Sequence, residues 1–479
     1  MCVTERAIPL LAAVVFCAAL VAPASAGSYL VDDSLQPPVI YSPDRKLIAE
    51  TTPLCPYKRK LDGTWSAHLL GSDGDVYFGS STHATDESGM FFKYAPQTKA
   101  MSVLSADLSE DCGENDLLQV PQGKIHSAPA ELNGWVYATT HVANYEAAAL
   151  ASYTGSHVMR WNMATGETQD WGVTRDNYTS YSAITADPIN DYVYCWVNRW
   201  WGSPGSSIYR WDGDGSNKTH IGDFGPGGSN YYQFVDSQGN MWFNHSMNSG
   251  TMYKVAPSGA VNSYAGTMPS GLHEITGEVL PQSGWWHWGA AIDADRCVFT
   301  MRNQSNSDLG GGLWEFDAAK ARAGDWNGAF RLLNFIGCSG SGKALGGDTV
   351  YYLQSANPEW THGNKASDHH LKSVKIEADA PIRDWGRLID PDGRTPYRCP
   401  AMSADDQGNV YMTGDWRVAD GDPNEYSSLR REFGETGEYV DLWRGEFFAT
   451  VNVPEPTTAL LLAVGLIVPG LNRRKRGQK

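Results

Sequence analysis

Seven copies of one three-part phrase run along the chain and leave little freedom for its fold. Each copy has a segment of small and apolar residues, a turn rich in Asp, Asn or Gly, and a short strand centred on an aromatic. A further strand follows, in most copies with a charged residue beside apolar ones. The central aromatics are Tyr77, Tyr137, Tyr194, Trp242, Phe299, Tyr351 and Tyr411, separated by 60, 57, 48, 57, 52 and 60 residues. The following strands carry Phe92-Lys93-Tyr94, Met159-Arg160-Trp161, Tyr209-Arg210-Trp211, Tyr253-Lys254-Val255, Trp314-Glu315-Phe316, Leu371-Lys372-Ser373 and Arg431-Glu432-Phe433. Short strands and turn signals repeated every ~50 residues mark a propeller of sheet blades, because one blade cannot bury both its faces alone. The expected fold is therefore all-β: a seven-bladed β-propeller of four-stranded antiparallel blades, one domain spanning residues 27–452. The segment 28–60 is expected to close the ring against the last blade.

The segment before each turn is the inner strand of its blade, and its small residues suit a crowded channel: Ser127-Ala128, Ser182-Ala183, Gly289-Ala290-Ala291 and Ser403-Ala404. Inner strands begin, and second strands end, on one face of a propeller. That face also collects the longer loops, 142–156, 199–207, 303–312, 356–370 and 414–428, and is the expected binding surface. Aligning the copies on their central aromatics places His126, Tyr181, Tyr231 and Trp288 (beside His287) at inner-strand entrances. His141, Asn198 (beside Arg199), Ser246 (beside His245) and Asn303 (beside Arg302) fall at second-strand exits. His126, His141, Tyr181, Arg199 and Tyr231 should thus converge on one side of the mouth. Cationic and hydrogen-bonding groups of this kind neutralise a carboxylate and acidify the adjacent C–H, while a Tyr or His removes the proton. Polar groups that merely satisfy strand ends at a solvated channel would look the same.

The two ends carry address signals. Residues 1–26 read as a secretory signal peptide, with Arg6, an apolar run from Ile8 to Val21, and Ala24-Ser25-Ala26 before Gly27. At the other end, Val453-Pro454-Glu455-Pro456, an apolar stretch from Ala459 to Leu471 and Arg473-Arg474-Lys475-Arg476 follow in that order. Residues 453–479 resemble the PEP-CTERM sorting signal of Gram-negative bacteria. The resemblance implies an exosortase-type partner, transient anchoring through a transmembrane helix, and delivery to the cell surface, outer membrane or extracellular matrix. The net charge of −17 argues against a nucleic-acid partner, and suits a polyanionic ligand only if basic groups gather locally. Away from the end segments the chain has Cys55, Cys112, Cys195, Cys297, Cys338 and Cys399, an even number whose pairing spacing cannot give. Cys195 and Cys297 lie mid-strand and read as buried small hydrophobes.

In blade number, and in placing His and Tyr at the mouth of consecutive blades, the chain resembles the seven-bladed propeller polysaccharide lyases, the ulvan lyases among them. The resemblance implies β-elimination on an acidic polysaccharide, with Tyr181 as base and acid, His126 and His141 assisting or neutralising, and Arg199 binding the uronate carboxylate. Tyr231 would support the substrate, with Asn198, His287 and Arg302 as further substrate contacts. The alternative is a non-catalytic surface propeller that binds glycan or protein. A hydrolase with paired carboxylates has less support, since Asp and Glu are sparse at the aligned mouth positions. Trp285, Trp286, Trp288, Trp200 and Trp201 are candidates for stacking on sugar rings or for packing. The sequence leaves any cofactor unknown: Cys338 and Cys399 could pair, or join His287, His362, His369 or His370 around a structural metal ion.

Overall fold

The computed structural model describes residues 30–32, 39–41, 45–114, 119–145, 150–180, 183–199, 205–225, 228, 230–273, 276–302, 311–337, 342–355, 369–418, 428–433 and 439–453. Seven antiparallel sheets follow one another in chain order. Their inner strands, His68–Leu70, Ala130–Leu132, Ile184–Asp187, Gln233–Val235, Trp285–Ala291, Lys343–Gly346 and Pro396–Ala404, line a central channel. The chain is a seven-bladed β-propeller.

The repeated phrase has a physical cause at its turn. In blades one, four and seven the turn carboxylates of Asp73, Asp236 and Asp405 accept the backbone N–H two residues on, at 3.1, 2.9 and 3.0 Å. Their second oxygens accept from the central aromatic: Tyr77 Oη at 2.7 Å, Trp242 Nε1 at 2.8 Å and Tyr411 Oη at 3.3 Å. The aromatic thus buries its ring between blades while its polar tip holds the turn. Gly74, Gly239 and Gly408 complete these turns at φ of 81°, 73° and 83°, where a Cβ is strained. A Cβ at Gly74 meets nothing, whereas one at Gly408 collides with the Val453 carbonyl oxygen. Gly74→Ala is therefore expected to cost about 1 kcal/mol, and Gly408→Ala distinctly more, because it also displaces the end of blade seven's third strand. Urea unfolding of the two variants checks the difference.

Charged residues in the next strand stand opposite the central aromatics: Tyr77 pairs with Lys93, Tyr137 with Arg160, Tyr194 with Arg210 and Trp242 with Lys254. In blade six Lys372 stands opposite Tyr352, and Tyr351 faces Ser373. Blade five also departs from the expected register. There Glu315 stands opposite Val298, and Phe299 faces Trp314. Phe299 packs with Trp242 and Trp286 of the blade-four side, while Val298 packs with Val350 and Val374 of blade six. Val298, not Phe299, is thus the equivalent of the central aromatics. A one-residue slip reverses the face of every side chain in a strand, and the same slip moves the mouth positions of blade five from Trp288 and Asn303 to His287 and Arg302.

Closure runs through the N-terminal segment, as expected, but it engages two blades. Glu50–Pro53 pairs antiparallel with the 447–450 stretch of blade seven. Val39–Tyr41 and Lys46–Ile48 add in parallel to the outer strand Ile382–Ile389 of blade six. Arg431-Glu432-Phe433 is not the third strand of blade seven. That place belongs to Tyr439–Asn452, whose Tyr439–Arg444 portion pairs with Ser428–Phe433. Packing explains the choice: Phe447 and Phe448, 0% and 1% exposed, point to opposite faces. Phe447 enters the cluster with Trp416, and Phe448 stacks on Phe78 of blade one at 4.9 Å.

Cys195 and Cys297 are fully buried in their strands, and with Cys112 they are free thiols. Cys338, His362, Tyr181, Trp200 and Trp201 lie outside the described residues, as do 1–29 and 454–479. Among the described residues no helix is long and apolar enough to cross a membrane.

Candidate functional site at the channel mouth

A short extra strand, Lys124–Ile125, pairs with the exit of blade two's second strand, placing Lys124 opposite His141 and Ile125 opposite Thr140. His126 follows directly. Its ring lies 5.2 Å from that of His141 and 6.3 Å from Tyr231, and stacks on Trp65 at 5.0 Å and 11°. Tyr231 stacks on Trp285 at 4.9 Å and lies 5.1 Å from His287. Arg302 Nη1 is 3.2 Å from His287 Nε2. Five of the residues expected at the mouth, His126, His141, Tyr231, His287 and Arg302, thus form one arc across blades two, four and five. The channel beside them encloses about 630 Å³, and Trp65, His126, Tyr231, His287 and Arg302 line it together with Lys343.

Two other expected residues take different roles. Asn198 is fully buried. Its backbone bridges to Thr179 at 2.8 and 2.9 Å, and its Nδ2 donates to the Gly228 carbonyl at 3.3 Å, so it ties off a strand end. Arg199 is half-buried beside it, and among the described residues nothing joins it to the histidines. Of the tryptophans, Trp285 is part of the aromatic arc, whereas Trp286 belongs to the core. His370 Nδ1 is held by Asp384 at 2.9 and 3.0 Å, and among the described residues Cys399 and His370 form no cluster of metal-ligating groups.

Two residues that the repeat register does not single out complete the site. Tyr145, four residues beyond His141, places its hydroxyl 2.5 Å from His141 Nε2, while Thr179 Oγ1 bonds Nδ1. Lys124 Nζ lies 4.4 Å from the Tyr145 ring centroid. Burial, reinforced by His126, Lys124 and His83, holds His141 well below the ordinary histidine pKa, so it is neutral. Burial also pulls Lys124 down to about 7, with Asp62 opposing. The spacing of Tyr145 from His141 was the available signal for the first residue. For Lys124 only its adjacency to His126 pointed there.

A pair of carboxylates exists, but away from the channel lining. Asp415 and Glu446 are cross-strand partners in blade seven, 3% and 0% exposed. Thr64 donates to Glu446. Burial, with Asp415 adding to it, raises Glu446 to about 8. In the unfolded chain a Glu ionises near 4.3, so between that pH and 8 the native state holds the extra proton. The stability contribution is complete below the ordinary carboxylate range and is lost as pH rises through 8. Stability should fall by up to about 1.4 kcal/mol per pH unit in that window from this group. Glu446→Gln should flatten the slope, as read from urea midpoints against pH.

No sequence family matches the chain, and no curated protein does. Among solved structures, the GH74 enzyme of Niastella koreensis superposes with a TM-score of 0.51 at 10% identity, covering 82% of this chain and 59% of that one. The GH74 xyloglucanase of Xanthomonas campestris gives 0.48 at 12% identity, over 77% and 53%. The Pan2 WD40 domain of Neurospora crassa gives 0.43 at 8% identity, over 86% and 96%. The chain thus spans about three fifths of the first enzyme's length and about half of the second's. At such identities the likeness concerns the fold alone: this chain is a β-propeller, an architecture that glycoside hydrolases also use.

Proposed function

We propose that the mouth binds a uronate-containing polysaccharide and cleaves it by β-elimination, on a propeller exported to the cell surface or matrix. The observation that carries this reading is local: in a chain of net charge −17, Arg302, Lys124 and the imidazoles of His126 and His287 gather at one side of the channel, beside neutral His141 and an exposed tyrosine. A polyanion would be repelled by the acidic surface but not by this patch.

His126 and Arg302 bind and neutralise the sugar carboxylate, which makes the α-proton more acidic. Neutral His141, its Nδ1–H donating to Thr179, accepts the Tyr145 proton at Nε2. The Tyr145 oxygen then removes the proton at C5, a C4=C5 double bond forms, and the C4–O glycosidic bond breaks. The departing oxygen takes the proton that Tyr145 removed from C5, and His141 then returns the phenol proton from Nε2 to the Tyr145 oxygen, which restores both groups. The Lys124 ammonium stabilises negative charge on the phenolate as it develops. Tyr181, expected from the lyase resemblance to be the base, is the rival for the role of Tyr145. The Trp65–His126 and Tyr231–Trp285 stacks offer platforms for sugar rings, and this feature alone also suits a propeller that only binds glycan. The segments 1–26 and 453–479 support export and handling by an exosortase-type enzyme.

Incubation with uronate polymers should raise ultraviolet absorbance from the unsaturated product, and the rate should fall as pH passes upward through 7 and Lys124 loses its charge. Retained binding without absorbance leaves a glycan-binding propeller. Neither binding nor absorbance with any uronate polymer removes the reading.

A further inference from the structure

At the rim of blade two, a second group of chemistry-bearing side chains comes together, and it is independent of the uronate reading. Cys112 caps the short helix Leu108–Asp111 in the connection from blade one. His157 opens the third strand of blade two, and Asp170 lies on the outer strand. The Cys112 thiol, a ring nitrogen of His157 and a carboxylate oxygen of Asp170 all lie within 4.8 Å of one another. His157 Nδ1 is 2.9 Å from Asp170 Oδ2, and Nε2 is 3.1 Å from Glu114 Oε1. The side chains of His157 and Glu114 are each only 7% exposed, while that of Asp170, at 21%, reaches solvent.

We propose that this cluster is a metal site for a borderline-soft divalent cation of the zinc class. Cys112 Sγ, His157 Nδ1 and Asp170 are the ligands. Glu114 accepts the Nε2–H and so leaves Nδ1 free for the metal, the arrangement in which a carboxylate orients a ligating histidine. One sulfur, one nitrogen and one oxygen donor form a mixed set that zinc accepts and that hard cations such as calcium do not. Ligand distances of ~2.0–2.3 Å in a tetrahedral site put donor atoms about 3.3–3.8 Å apart, so Asp170 Oδ2 must open slightly from its 2.9 Å contact with Nδ1, a shift that the solvent-facing side chain can make. Uptake releases the thiol proton.

The three ligands sit on three separate elements, so the metal would fasten the blade one–two connection to the third and outer strands of blade two. Gln122, in that connection, donates to Glu114 at 3.1 Å and accepts from Thr140 at 2.8 Å. Lys124 and His126 follow within the next residues, so the site would steady the segment that carries them to the mouth.

The test is cobalt titration of the chelator-stripped full-length chain. Thiolate-to-cobalt absorption in the near ultraviolet should grow to a stoichiometric endpoint, and zinc should raise the unfolding midpoint. Cys112→Ser should abolish the thiolate band, and Glu114→Gln should weaken affinity by about 10–100-fold. Should Cys112→Ser fail to fold, Asp170→Asn, at the solvent edge, should still weaken cobalt binding by at least 10-fold, of the order seen when a metal site's support is removed. Absence of thiolate absorption in the wild-type chain at millimolar cobalt, its persistence in Cys112→Ser, or unchanged affinity in Asp170→Asn would each overturn the proposal.

Discussion

Tyr145→Phe is expected to lower cleavage of uronate polymers by about 10²–10⁴-fold in kcat, the range for loss of a positioned acid–base group, with KM little changed. The substitution keeps the ring above Lys124 Nζ and removes only the hydroxyl that meets His141 Nε2 at 2.5 Å. His141→Ala should cost a similar factor, because neutral His141 is the acceptor that frees the phenol oxygen. The double variant should be little worse than either single one, since the two residues act as a unit. Tyr181→Phe separates the rival base: a large loss there with Tyr145→Phe unaffected would transfer the role to Tyr181. Initial rates of absorbance growth decide between them.

Trp242→Ala should destabilise the propeller by about 3–5 kcal/mol, the range for deleting a large buried aromatic. The ring is 0% exposed and packs against Tyr264, Phe316 and Trp326 at centroid distances of 6.1, 5.5 and 6.1 Å. Its Nε1 donates to Asp236, whose carboxylate Arg322 also holds at 2.6 Å. Trp242→Phe keeps most of the packing and loses the bond to a buried carboxylate, so about 1.5–3 kcal/mol is expected. Calorimetric unfolding of the two variants separates ring burial from turn anchoring. A loss in Trp242→Phe as large as that in Trp242→Ala would mean that the hydrogen bond, not the ring, dominates.

Much of the architecture was legible because its causes are local. An Asp that accepts its own turn's N–H groups, a Gly at positive φ and an aromatic whose tip reaches back to the Asp all lie within a few residues. The mouth was legible only through the repeat register, and there phase mattered. His126, His141 and Tyr231 come from blades in phase with their aromatics. Arg302 faces the channel because Val298, not Phe299, occupies the equivalent position, and His287 faces it from a bulge between Trp286 and Trp288. An aromatic is a stronger visual marker than a valine, yet packing against blade six sets the phase. Tyr145 and Lys124 escaped the register because one lies on a loop and the other on a strand of two residues.

The number of blades, their order and the face bearing the longer loops follow from the amino-acid order alone, since turn chemistry and strand alternation act between near neighbours. Folding in three dimensions decided the rest. Phe447 and Phe448 outcompeted Arg431-Glu432-Phe433 for the third place in blade seven by burying rings on both faces. Lys124, His141 and Tyr145 became one site through a cross-strand pair and a loop that returns over it. Burial then set the charge of each group, and burial is a property of the packed ring rather than of any short stretch of chain.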